Sequence, residues 1–251
     1  MAATVVIPAR FGSTRFPAKI LASETGRPLV QHVVDQVRQC LRVNEIVVAT
    51  DDRRIVEALS AFGTRCVMTS AEHQSGTDRI AEVARGIKDQ IIVNVQGDEP
   101  EIEPGVIDGL IERLEGSGDD MATAATPFPE HADPANPNLV KVVISREGRA
   151  MYFSRSPIPY LRDATPPSGL TYYLHLGIYA YRREFLLEFA GWRPTVLEQA
   201  EKLEQLRALE HGRSIYVMTV SRATHGIDTA EQYADFVTRY QRGPKIEQAA
   251  R

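Results

Sequence analysis

TVVIPARFGSTRFPAK, residues 4–19, starts as a short apolar strand and becomes a basic loop within a few residues. The loop combines three cations with two hydroxyl side chains, namely Arg10, Ser13, Thr14, Arg15 and Lys19. Guanidinium forks and a point-charge ammonium suit a ligand that spreads negative charge over many oxygens, such as a triphosphate. A solvated loop whose cations pair with surface acids is the alternative. The spacing matches neither a Walker A loop nor GxGxxG, which disfavours a P-loop NTPase and a dinucleotide site.

Around this strand, the first half of the chain alternates short apolar runs with helical patterns. Strands are predicted at Thr4–Ile7, Glu45–Ala49, Arg65–Met68 and Ile91–Val95, and helices at about 29–41, 55–62, 80–87 and 105–114. This alternation predicts βαβ units, and therefore an α/β fold with a mostly parallel, Rossmann-like sheet and helices on both faces.

The pattern changes after Gly116. Strands at 121–126, 140–145, 150–154 and 172–181 alternate with Pro-rich loops, which is typical of an antiparallel insertion over about 120–182. Helices at Arg183–Phe189 and Val196–Leu209, a strand at Ser214–Thr219 and a helix at Thr229–Tyr240 complete the pattern. We expect a single domain over 1–251 that ends in a frayed tail, 242–251.

The composition excludes several classes of protein. Of 251 residues, 43% are hydrophobic and 25% are charged, which is ordinary for a globular chain. The net charge of −4 gives no global attraction to nucleic acid or to an anionic membrane. Neither a signal peptide nor a membrane-spanning run is apparent, and Cys40 and Cys66 lack metal-ligand spacing. We therefore expect a cytoplasmic protein with two free thiols and no nucleic-acid partner.

Two further loops are expected beside the basic one, because ligands bind beyond the carboxyl ends of parallel strands. QGDEP follows the fourth strand and presents Asp98 and Glu99. Asp98 is either a Mg²⁺ ligand or an ion-pair partner of Arg10, since Mg²⁺ takes one or two carboxylates plus phosphate oxygens. Asp228, just before the last helix, is the candidate second carboxylate, although Asp-Thr before a helix is also an ordinary capping pair.

The loop after the third strand, EHQSGTDR, starts a helix. Ser75 and Asp78 match a capping box. The loop is more polar than a cap requires, so Ser75, Gly76 and Thr77 are candidates for reading a base with backbone groups and hydroxyls. Arg79 is either part of that site or a salt-bridge residue, and the sequence leaves both interpretations open.

Eight motifs occur in order along the chain: IPARFGSTRFPAK, EHQSGTDR, VNVQGDEP, NPNLVKVV, YFSRSPIP, HLGIYAYR, LEQLR and HGIDT. Together they resemble the 3-deoxy-manno-octulosonate cytidylyltransferases, or CMP-KDO synthetases. Sialic-acid cytidylyltransferases share the basic loop and the fold, but are not expected to carry HLGIYAYR with LEQLR. The resemblance implies the nucleotidyltransferase fold, and in-line attack of the KDO anomeric hydroxyl on the α-phosphate of CTP. The resemblance also implies pyrophosphate release, a Mg²⁺ cofactor and a role in lipopolysaccharide synthesis.

The resemblance also implies roles for individual residues. The basic loop would hold the triphosphate. The catalytic residues would be Arg10, Lys19 and the two metal carboxylates, Asp98 and Asp228. The Ser75–Arg79 stretch is similar to the cytosine-reading segment. The positions that match contacts to the sugar acid are Gln96, Arg155, His175, Tyr179, Glu204 and Gln205. In-line transfer needs no covalent nucleophile, and we assign no dedicated general base. The family is typically homodimeric, and the insertion is the expected lid and interface.

The chain departs from the family pattern at FPAK, where LPGK is common, because Ala18 adopts a positive φ less readily than Gly. HGIDT likewise replaces a longer Gly-rich approach to Asp228. Two alternatives stay open: a cytidylyltransferase of the same fold for another acceptor, such as sialic acid or an amino-substituted KDO, and a non-catalytic nucleotide-binding protein.

Overall fold

A computed structural model of the chain describes residues 3–73, 75–129, 132–163, 167–222 and 226–243. The predicted tail lies outside these residues, except for 242 and 243. The strands are β1 Ala3–Ala9, β2 Val43–Thr50, β3 Cys66–Met68, β4 Ile91–Asn94, β5 Met121–Pro127, β6 Lys141–Ile144, β7 Ala150–Ser154, β8 Tyr173–Arg182 and β9 Ile215–Thr219. The helices are α1 Leu29–Val37, α2 Arg53–Ser60, α3 Gly76–Ala84, α4 Pro104–Gly116, α5 Arg183–Gly191, α6 Val196–Glu201, α7 Gln205–Glu210 and α8 Ala230–Arg242. A 3-10 turn covers Lys19–Leu21.

The strands of the described chain form one sheet in the order β3-β2-β1-β4-β8-β5-β9. β1 pairs in parallel with both β2 and β4, so the chain order reverses at β1. β8 runs antiparallel between β4 and β5, and β5 and β9 are parallel. The predicted α/β fold is confirmed, and its switch point between β1 and β4 is where open α/β sheets bind ligands.

Alternating side chains of the strands divide the core between the two faces of the sheet. In β1, Val5 and Ile7 join one cluster with α1, α2 and α4. Val6 faces the other cluster, which includes α3, α5 and α7. The predicted helices on both faces follow from this division, because each face of a mostly parallel sheet must be covered.

The segment predicted as an insertion, about 120–182, contributes partly to the main sheet and partly to a hairpin beside it. β5 and β8 are long strands of the main sheet, whereas the hairpin of β6 and β7 lies off the main strand order. β6 joins the sheet through two pairings to β8, Lys141 with Leu174 and Val142 with Tyr173. The projecting part is therefore the hairpin and its flanking loops, and a lid function for them stays a prediction.

The single helix predicted at Val196–Leu209 is wrong, because α6 and α7 are separate. Lys202 has a left-handed backbone, with φ of 53°, and ends α6. This turn directs Leu203 into the core, where it is 7% exposed. The apolar period continues across the break, and no glycine marks it, so the pattern gave no sign of two helices.

Candidate active site

Three loops meet at the carboxyl edge of the sheet, beside the switch point. The loop after β1 and the loop after β4 line a cavity of about 320 Å³, which Asp228 closes from the segment before α8. Residues of the basic loop on this wall are Arg10, Ser13, Thr14, Arg15 and Lys19. The structure therefore brings together the predicted triphosphate residues and both predicted metal carboxylates.

Lys19 is the central cation of this cavity. Its Nζ lies 2.5 Å from Asp98 Oδ2 and 3.1 Å from Asp228 Oδ1, and it donates to the Ile227 carbonyl at 2.7 Å. Arg15 Nη2 is 3.1 Å from the other Asp228 oxygen. Only 11% of the Lys19 side chain is exposed, so these ion pairs are less screened than surface pairs. Asp98 thus faces Lys19, and the alternative of an Arg10 partner is not seen.

Backbone contacts hold the two carboxylate segments in place. Ile227 donates its N–H to the Asp98 carbonyl at 2.8 Å, although the residues are far apart in sequence. Gly97 allows the β4 loop to lie against β1: a Cβ there would meet the Pro8 carbonyl at 3.0 Å and the Ile20 side chain at 3.2 Å. A side chain at position 97 would therefore press on Pro8 and Ile20.

The carboxylates fit a magnesium site that is completed by a nucleotide. Within the described residues, no group of three or more His, Cys, Asp or Glu side chains could hold a metal by itself. Asp98 and Asp228 nevertheless converge on one ammonium, and Mg²⁺ commonly takes one or two carboxylates plus phosphate oxygens and waters. Burial, with the neighbouring Asp98 charge, raises the pKa of Glu99 to about 8.

The start of α3 forms the third side of the site. The Ser75 hydroxyl accepts from the Asp78 N–H at 3.1 Å, which is the predicted helix cap. Gly76 and Thr77 line the neighbouring cavity. Arg79 instead is buried, donating to Thr69 and to Asp51 at 2.8 Å. The geometry therefore favours the salt-bridge interpretation of Arg79.

A second cavity, of about 560 Å³, lies beside the first. Five of the six residues predicted to contact the sugar acid line it: Gln96, Arg155, Tyr179, Glu204 and Gln205. Within the described structure, Glu204 Oε2 and Gln205 Nε2 are buried without a hydrogen-bond partner. Both atoms have almost no accessible surface, so this wall carries the desolvation cost of polar atoms that lack a partner within the described residues.

His175, the sixth predicted residue, has a different environment. Its ring packs edge-on against Phe153 and at a tilt against Tyr179, with centroid distances of 4.9 and 5.4 Å, and its Nε2 is 3.0 Å from the Thr123 hydroxyl. Burial lowers the pKa of His175 to about 3 and raises that of Tyr179. Both side chains are therefore neutral at pH 7, and His175 contacts Tyr179, which lines the cavity.

The cavity also has walls that the sequence interpretation missed. Asn94 accepts from Gln96 Nε2 at 3.2 Å, and Tyr181, Lys202 and Leu203 contribute further surface. A polar Asn inside the apolar run IIVNV was the available signal for Asn94. Nothing local marks Lys202, because its position depends on the break between α6 and α7.

Comparisons with known proteins agree with this geometry. The cytidylyltransferase family model matches residues 4–215. A 3-deoxy-manno-octulosonate cytidylyltransferase of Geobacter sulfurreducens is 52% identical, covering 90% of this chain and 94% of the relative. The Geobacter metallireducens protein of the same name is 49% identical, covering 96% and 99%.

Solved structures extend the likeness to the fold. A CMP:2-keto-3-deoxy-manno-octonic acid synthetase complexed with CTP superposes with a TM-score of 0.91 at 40% identity, covering 96% of this chain and 99% of that one. A 4-diphosphocytidyl-2C-methyl-D-erythritol synthase from Anaerococcus prevotii shares the fold alone, with a TM-score of 0.61 at 13% identity. From its site, its fold and these relatives, the chain belongs to the cytidylyltransferase family and, within it, to the 3-deoxy-manno-octulosonate cytidylyltransferases.

Proposed function

We propose that this chain forms CMP-KDO and pyrophosphate from CTP and 3-deoxy-D-manno-octulosonate (KDO), with Mg²⁺, in the cytoplasm, for lipopolysaccharide synthesis. The observation that carries the proposal is that the two cavities share a wall: Pro8, Arg10 and Gln96 line both. A nucleotide phosphate in the basic cavity and a sugar acid in the polar cavity would meet at that wall. The CTP complex of the similar synthetase supports CTP as the nucleotide.

The basic cavity supplies binding and charge stabilisation for the triphosphate. Arg10 lies at the shared wall, where negative charge builds up as the α-phosphate is attacked. Lys19 and Arg15 are held by Asp228, so their charges are in place before the nucleotide binds. Asp98 and Asp228 would hold Mg²⁺, which supplies charge neutralisation at the phosphate and lowers the pKa of the acceptor hydroxyl.

The polar cavity orients the acceptor. Arg155 provides a cation for the sugar carboxylate, and Gln96, Glu204 and Gln205, which line the same cavity, provide polar groups for the hydroxyls. Burial raises the pKa of Glu204. A bond forms between the anomeric oxygen and the α-phosphorus, while the bond to the bridging oxygen breaks and pyrophosphate leaves with that electron pair. The hydroxyl proton passes to solvent. Positioning two reactants in this way is itself a large catalytic effect.

We also propose that two copies of the chain form a homodimer through the hairpin region. Val142, Val143, Ile144, Pro159 and Leu170 line an apolar groove there. Met151 and Tyr160, in the same region, are 64% and 85% exposed. A second copy, with the same apolar surface, is the occupant that we propose for this groove.

Pyrophosphate release with CTP and Mg²⁺ tests the reaction, with KDO, an amino-substituted KDO, sialic acid and no acceptor in parallel. We expect release with KDO, and its loss in Asp98→Ala, with Glu103→Ala as a control on the same loop. Release with another acceptor only would reassign the substrate. CTP binding without release for any acceptor would favour the non-catalytic alternative and contradict the proposal.

A further inference from the structure

Lys141 is a fully buried cation outside both cavities. It lies on β6 with 0% of its surface exposed. Its Nζ donates to three backbone carbonyls, those of Asn136 at 3.1 Å, Leu139 at 2.6 Å and Arg155 at 2.5 Å. Among the described residues, no carboxylate forms an ion pair with it. A buried ammonium that forms no ion pair costs free energy, and Met would fill the same space, so the three hydrogen bonds of Lys141 need an explanation.

The three carbonyls belong to two segments, one of which lines the acceptor cavity through Arg155. Asn136 and Leu139 bracket a loop, and Arg155 is the residue that directly follows β7. Lys141 therefore joins the loop 136–139 to the backbone of the residue that we assign to the sugar carboxylate. Burial lowers the pKa of Lys141, and the nearby carboxylates of Glu201 and Asp133 oppose this shift.

The side chain of Arg155 depends on the same loop. Its Nε donates to the Glu201 carbonyl at 2.6 Å, Nη1 to the Pro137 carbonyl at 2.8 Å, and Nη2 to the Lys202 carbonyl at 3.3 Å. Pro137 lies inside the loop held by Lys141. Three of five guanidinium N–H groups are thus fixed by neutral carbonyls, which leaves two donors for a ligand.

We propose that Lys141 is a positioning residue for the acceptor: by holding the loop 136–139 and the Arg155 carbonyl, it aims the Arg155 guanidinium into the polar cavity. This inference rests on the proposed function, because it takes the ligand of Arg155 to be the carboxylate of the sugar acid. Lys141 itself contacts no substrate. Its effect on the reaction passes through Arg155 and is confined to the acceptor.

A double-mutant cycle with Lys141→Met and Arg155→Met tests this dependence. We expect Lys141→Met to raise the acceptor KM at least tenfold, with kcat within threefold and the dissociation constant of CTP within twofold of the parent. In the Arg155→Met background, the same change should raise the acceptor KM less than twofold. Lys88→Met, which removes an exposed charge elsewhere, is the control and should leave all three constants unchanged.

Exchange of backbone amide hydrogens tests the role of Lys141 independently of the proposed function. Lys141→Met should speed exchange of the Leu139 and Arg155 amides at least tenfold, whatever the substrate. A parent protein that releases no pyrophosphate with KDO would defeat the proposed function, and exchange would still decide whether Lys141 holds the two segments. If Lys141→Met does not fold, Lys141→Gln takes its place in both experiments. An unchanged acceptor KM, equal effects in both backgrounds, or unchanged exchange would overturn the inference.

Discussion

Ala18 has a left-handed backbone, with φ of 55° and ψ of 23°, directly before Lys19. This conformation costs an L residue about 1 kcal/mol, and glycine adopts it freely. The 3-10 turn that follows places the Lys19 ammonium between its two carboxylates. The strain expected from the FPAK sequence is therefore present, and it is located where the main cation of the site is positioned.

Replacing Ala18 by Gly should stabilise the protein by roughly 0.5–1 kcal/mol, because removal of the strain outweighs the greater entropy of the unfolded glycine chain. For a chain of this size, the melting temperature should rise by about 2 °C in thermal unfolding. Ala22→Gly is the matched control, since Ala22 has φ of −55° and should lose stability. Equal losses in both variants would contradict the account of Ala18.

His175 provides a pH-dependent prediction at the same scale. Burial lowers its pKa to about 3 in the folded protein, whereas the unfolded value is near 6.5. The unfolded chain therefore binds the extra proton between these limits, so His175 lowers stability as the pH falls from about 6.5 towards 3 and has no effect above pH 7.

The change His175→Gln should reduce the pH slope of the melting temperature between pH 6.5 and 4.5, with no change of slope above pH 7. His211→Gln, at an exposed position, should keep the parent slope. Thermal unfolding at several pH values across this range measures these slopes. A His175→Gln slope equal to that of the parent would show that the ring is not held in its neutral form.

At the scale of elements, Arg79 joins α3 to the carboxyl ends of two strands. Its buried guanidinium donates to Asp51 after β2 and to Thr69 after β3. Breaking one partner of a buried ion pair typically costs about 3–5 kcal/mol. Since Asp51 is partly exposed, we expect Arg79→Met to lower the free energy of unfolding by about 3 kcal/mol.

The interaction energy of Arg79 with Asp51 is measured by urea unfolding of Arg79→Met, Asp51→Asn and the double variant. The two single changes should not be additive, because each removes the same interaction. Arg53→Met, at an exposed position on α2, should change stability by less than about 0.5 kcal/mol. If Arg79→Met unfolds like the parent but binds CTP much more weakly, Arg79 contacts the nucleotide directly.

The sequence predicted the helices and strands better than the contacts between them, because the hydrophobic periodicity that marks an element is a local property. The strand from Ile91 and the helix cap at Ser75 lie where alternation and capping chemistry placed them. The split of α6 and α7 was missed because it depends on Lys202, a left-handed residue without a glycine signal. The contact of Lys19 with Asp228 joins residues that are 209 positions apart, so only the convergence rule for sheet edges, or the family resemblance, anticipated it.

At the scale of the whole molecule, the homodimer proposal predicts sedimentation at twice the mass of the chain. Tyr160→Glu with Met151→Glu should shift the protein to the monomer, because charges would then be buried in an apolar interface. Leu41→Glu, at a position 93% exposed outside the hairpin region, should leave the dimer intact. A monomeric parent would contradict the proposal, and a dimer unaffected by the double change would place the interface elsewhere.

The most direct test of the whole account is to identify the phosphorus products formed from CTP, Mg²⁺ and KDO by ³¹P NMR and mass spectrometry. The proposed attack at the α-phosphate predicts equal amounts of pyrophosphate and a CMP ester of KDO. Free CMP without consumption of KDO, or CDP with a sugar phosphate, would contradict the account.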